Sequence, residues 1–145
     1  KVLQVVGDTP IAIDYTFCPR PLSLARLLLS RGFNVERVYL DTITGEEKAD
    51  FGYLKENHPD LLLYPTVHAA MRFHSPRESS RYLAIGQKAA HFTNTTHFVN
   101  VVEGGGMWGF QAVTETARLM EQAFREEKDL RKLIQVKGMG CAGCL

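Results

Sequence analysis

The sequence predicts an α/β domain of the three-layer, Rossmann-like kind, with a parallel sheet of about four strands and helices on both faces. Three observations carry this. Short β-branched or apolar runs alternate with amphipathic helical patterns. Prolines and glycines fall at the joints between them. The length, 145 residues, suits one core-forming domain. Strands separated by helical crossovers pair in parallel, and helices then cover both faces.

Residues 1–10 suit either a strand or the end of a helix. Residues 11–17, IAIDYTF, read as the first strand. Pro19 and Pro21 end it, and Pro21 fits the first position of a helix running to Arg31, with Gly32 as its left-handed cap. Residues 35–40 form the second strand. Thr44-Gly45-Glu46-Glu47 has the spacing of a capping box and opens a helix to about His58, stopped by Pro59. Residues 60–64 are the third strand, and residues 66–74 have room for a helical turn. Ser75-Pro76-Arg77-Glu78 reads as a second capping box for a helix to about Ala89, followed by a fourth strand over residues 90–94. From about Met107, the spacing of Phe110, Val113, Ala117, Met120 and Phe124 gives a long amphipathic helix. Residues 1–136 are read as the domain and 137–145 as a flexible Gly/Cys tail. KVLQVVGDTP begins in mid-pattern, so a longer polypeptide is expected.

Composition narrows the function. A net charge of +1 leaves no electrostatic footprint for nucleic acid. No apolar run is long enough to span a bilayer. Three cysteines are too few for a disulfide framework, which points to a reducing, cytoplasmic setting. After the first strand the chain reads DYTFCPRP, without the glycines that bring backbone against a pyrophosphate, and no Walker A loop occurs.

In open parallel sheets ligands sit outside the carboxyl ends of the strands. The predicted strand order puts the loops at 17–21, 41–44, 64–68 and 94–106 on that rim, and with them Cys18, Arg20, His68, His97 and the glycine run Gly104, Gly105 and Gly106. Arg20 at a helix start opposes the helix dipole, so it reads either as serving an anionic ligand or as a locally paired surface residue. His97 is the best metal-ligand candidate of five histidines, although none has H-x-x-x-H spacing. Cys18 reads as a small buried hydrophobe. Cys141 and Cys144, in C-x-x-C spacing, could share one metal ion, close a redox disulfide, or belong to an unstructured end.

Three local matches resemble the last Rossmann-like domain of nitrogenase component 1 type oxidoreductases. Arg20-Pro21 and the following residues to Phe33 are similar to that family's Arg-Pro loop and helix. His58-Pro59-Asp60-Leu61-Leu62 is similar to its Lys-Pro-Asp-Leu-Ile strand entry. Gly106-Met107-Trp108-Gly109-Phe110 with Ala117-Arg118 is similar to its Gly-Phe-x-Gly-Phe…Ala-Arg motif. The resemblance spans nearly the whole chain. It implies a metallocluster or substrate cavity fed by an ATP-dependent, nitrogenase-iron-protein-like reductase. An iron–sulfur or iron–molybdenum-type cluster is implied in the full-length protein, with none held tightly by this domain alone, and the isolated domain is implied to be inactive. Upstream domains of the same chain and a paralogous subunit or second copy are the implied partners. Arg20 is implied to lie beside the cofactor, and Gly104–Gly106 in the loop around the cavity. The family's ligating histidine counts back to Thr96, one residue from His97. The loop VVEGGG departs from the family's aromatic, proline-containing loop, and the C-terminal Cys-Ala-Gly-Cys lies outside its pattern. A non-catalytic scaffold for cluster assembly, or a plain ligand-binding module, is the alternative. On this reading Trp108 packs in the first turn of the long helix.

Overall fold

The structure, a computed structural model, describes residues 1–74 and 80–133. Five strands, β1 (Ile11–Asp14), β2 (Val35–Leu40), β3 (Leu62–Pro65), β4 (Leu83–Ile85) and β5 (Phe98–Val99), form one sheet in the order β3-β2-β1-β4-β5. Every pairing is parallel. The helices are α1 (Val2–Val6), α2 (Pro21–Ser30), α3 (Lys48–Asn57), α4 (Gln87–Thr93) and α5 (Gly109–Arg125), with single 3-10 turns between them. This is the expected three-layer α/β architecture, with one strand more than the sequence suggested.

Each face has its own core. On one, Ile11, Ile13, Leu22, Leu28, Val38, Ile85, Val99 and Met120 pack under α2, α3 and α5. On the other, Ala12, Tyr39, Ala84, Ala89, Ala90, Phe92 and Phe98 pack under α4. Alternate strand residues point to opposite faces, and since both faces are covered β4 is apolar throughout and β1 is apolar up to its last residue, Asp14. Tyr39 stacks between Tyr64 and Phe92, with ring centroids 5.2 Å from each.

The second half of the chain departs from the sequence expectation. Residues 90–94 are not a strand but the end of α4, and Leu83–Ile85, expected inside a helix, is β4. The physical reason lies in Gly86, whose φ of 116° turns the chain sharply between a fully buried strand and an alanine-containing helix. Asn94 then closes α4 in the left-handed region at φ 50°. The Ser75–Glu78 capping box lies outside the described residues apart from its expected continuation, which is this strand. The box at Thr44 also differs. A 3-10 turn and α3 follow it as expected, but Thr44 makes no capping bond. Glu47 instead accepts from the amides of Leu22 (2.8 Å) and Ser23 (3.1 Å), a buried carboxylate serving the first turn of α2 across the fold.

Candidate functional site

The order 3-2-1-4-5 places the topological switch between β1 and β4, and a crevice outside their carboxyl ends is where open α/β sheets bind ligands. Asp14, the last residue of β1, is fully buried there. Its carboxylate accepts from the Thr16 amide (2.7 Å), the Thr16 hydroxyl (2.5 Å) and the Ala89 amide (2.6 Å). Burial raises its pKa, and these donors together with the Lys88 charge oppose the rise. The Thr16 hydroxyl in turn accepts from the Gln87 amide at 3.3 Å. Asp14 thus welds the loop after β1 to the start of α4.

Lys88 extends from α4 across the ends of three strands. Its ammonium donates to the Tyr15 hydroxyl after β1 and to Thr66 after β3 (3.0 Å), and lies 3.9 Å from Asp41 after β2. Its side chain is only 5% exposed. Asp41 also accepts from Thr66 (2.5 Å) and from the Val67 amide (3.0 Å). On the far side, Gln87 donates to Asn100 after β5 at 3.1 Å. The rim is therefore a connected polar network resting on an apolar sheet. Asp14, Thr16, Gly86 and Lys88 were not among the residues the sequence singled out. The signal was the apolar triplet Leu83-Ala84-Ile85 running into Gly86-Gln87-Lys88, a strand–turn–helix joint.

The glycine run lies on this rim. The Glu103 amide donates to Thr16 O (2.8 Å) and the Gly104 amide to Phe17 O (2.6 Å), so the loop after β5 is stitched to the loop after β1. Gly104, Gly105 and Gly106 have φ of 69°, 56° and 80°, a left-handed run that side chains disfavour. A Cβ on Gly105 would meet Val101 at 2.8 Å. Arg20 caps the start of α2 on the same rim. It donates to Glu46 O at 3.2 Å, stands 3.7 Å from Asp50, and leaves half its side chain exposed. Cys18 lies between these loops, where burial pushes its thiol up to about 11. His68 also follows a rim strand, and its Nδ1 accepts from the Ala70 amide.

His97 and Thr96 are not on this rim. The misplaced fourth strand had put them beyond a carboxyl end, whereas they precede β5 and so sit at the amino end of the sheet. There His97 Nδ1 is 3.0 Å from Ala123 O, and Thr96 O accepts from the Lys128 amide. They are thereby separated from Arg20 and the glycine run by the length of the sheet. Trp108 does not pack in the first turn of α5 either: it is the residue before the helix and 84% exposed, and Phe110 is 95% exposed. Cys141 and Cys144 lie outside the described residues. Among the described residues, no three His, Cys, Asp or Glu side chains converge as a metal site. The rim present in this chain offers the half-exposed Arg20 cation and a glycine backbone wall, and its donor set does not fit a metallocluster on its own.

Fold and rim together define an open, doubly wound α/β domain with a buried polar network at the β1–β4 switch. Compared with family models, with curated proteins and with solved structures, the chain matches none.

Proposed function

We propose that the chain is the Rossmann-like domain of a nitrogenase-like oxidoreductase, forming one wall of a cavity in which a metallocluster or substrate receives electrons from an ATP-dependent iron–sulfur partner. The observation that carries this reading is the junction of Glu103 and Gly104 with Thr16 and Phe17. It joins the segment leading into Arg20-Pro21 to the glycine loop that leads into Gly106–Phe110, the two places where the sequence resembles that family, although more than eighty residues separate them in the chain. Arg20 stands beside this junction with part of its guanidinium free to meet an anion, and Asp50 with Glu46 O fix its orientation. The glycine run gives the wall a side-chain-free backbone that a bulky group can approach. Ligands to a cluster at this wall would come from other domains or subunits, because His97 and Thr96 lie at the amino end of the sheet, away from it.

Anaerobic purification of the polypeptide containing this chain, with and without Arg20→Gln, tests the reading. The expected outcome is a cluster whose reduction by the iron–sulfur partner requires ATP, and whose EPR spectrum or potential shifts in the variant while the melting temperature stays within a few degrees. An identical spectrum and potential in the variant would remove Arg20 from the cavity wall.

A further inference from the structure

Between α2 and α5, on the face of the sheet away from α4, runs an apolar groove of about 310 Å³. Phe17 and Cys18 form its floor, Leu24 and Leu28 of α2 one side, and Val113 and Met120 of α5 the other. It exists because α5 presents small residues, Ala112, Thr116 and Ala117, opposite the leucines of α2, so the two helices do not interdigitate there. An apolar opening of this size forfeits packing contacts that a ligand would restore. Arg31, at the carboxyl end of α2, is the one charged residue on the lining among the described residues. It has no ion pair to any described carboxylate, whereas Arg20, Arg26, Arg118, Arg125 and Arg131 each have one.

We propose that this groove binds a free medium-chain carboxylate, its hydrocarbon chain lying between α2 and α5 and its anionic end at Arg31. The chemistry follows from the lining: apart from the Thr116 hydroxyl its side chains are sulfur, aliphatic and aromatic groups suited to a hydrocarbon chain, and one cation at the end selects an acid over an alcohol or an amine. At about 25–30 Å³ of space per packed heavy atom, the volume takes an anion of about ten to twelve heavy atoms, which is the size of decanoate. The groove shares Phe17 and Gly104 with the junction of the two rim loops but none of the polar network of Asp14 and Lys88, and its proposed ligand does not depend on the oxidoreductase reading.

Isothermal titration of the 145-residue chain with decanoate, below its micellar concentration, tests this. The expected result is saturable one-to-one binding with a dissociation constant of roughly 10–500 μM. Decan-1-ol should bind about two- to fivefold more weakly, because an exposed charge pair is worth little, and decylamine more weakly still. Arg31→Gln, at an exposed position, should bring decanoate down to the level of decan-1-ol. Ala117→Leu, which fills the groove, should weaken both ligands at least tenfold, with circular dichroism confirming that it folds. Non-saturable heats with decanoate, equal affinity for decylamine, or an unaltered decanoate affinity in Arg31→Gln would overturn the proposal. So would adsorption to phosphatidylglycerol vesicles without binding of the free acid, which would make the groove a lipid-surface contact.

Discussion

The Asp14 carboxylate occupies the space a side chain on Gly86 would need: a Cβ there would come within 2.3 Å of Asp14 Oδ2. Gly86 also has φ 116°, so geometry and sterics both demand glycine. Gly86→Ala is expected to destabilise the domain by about 3 kcal/mol or more. Gly45→Ala, with open space around it, should cost under about 0.5 kcal/mol. In the Asp14→Ala background, which itself orphans the Ala89 and Thr16 amides at a cost of about 2–4 kcal/mol, the further loss from Gly86→Ala should shrink. Urea unfolding of the four proteins measures that coupling; strictly additive losses would show that the two residues do not share the space.

Lys88 is expected to act as the tie across β1, β2 and β3. Lys88→Met keeps the aliphatic stem but leaves Asp41 without its buried counter-charge and Tyr15 and Thr66 without a donor. The expected loss is about 2–4 kcal/mol, with faster amide exchange at Thr66 and Val67. Unchanged exchange at both amides would show that the network is not what orders this rim.

Asp50 gives a pH signature. The Ser23 hydroxyl (2.5 Å), and then Arg26 (2.8 Å), hold its carboxyl below the ordinary value of 3.8. A depressed folded pKa means that its contribution is present above pH of about 4 and disappears as the pH falls through the folded value. Asp50→Asn should therefore be less stable than wild type by about 0.5–1.5 kcal/mol at pH 7, and the difference should vanish once the pH has fallen below the depressed folded value. A difference that persists undiminished at low pH would assign the loss to packing instead.

Much of the fold is legible in the chain because its first half obeys local rules. Pro21 opens α2, Gly32 closes it, and Pro59 follows α3, as local turn and capping chemistry dictates. The second half hides its strands. Leu83-Ala84-Ile85 is only three residues long, so periodicity alone merges it with α4 across Gly86. That one slip carried His97 to the wrong end of the sheet. Glu47 illustrates another limit: its spacing from Thr44 matched a local cap, but burial beneath α2 made the amides of Leu22 and Ser23 its partners. Asp14 and Lys88 were hidden for a related reason, since their roles depend on residues 75 and 73 positions away in sequence. The rim positions of Arg20 and Gly104 were legible because each follows a strand at its carboxyl end.

The proposed role of this rim is a cavity wall in a metallocluster enzyme. The most direct measurement is the iron and acid-labile sulfide content of the polypeptide containing this chain, purified without exposure to oxygen. Stoichiometric iron and sulfide, with an EPR signal that the ATP-dependent iron–sulfur partner reduces, is the predicted result. A fully folded polypeptide that carries neither metal nor sulfide under those conditions would contradict it.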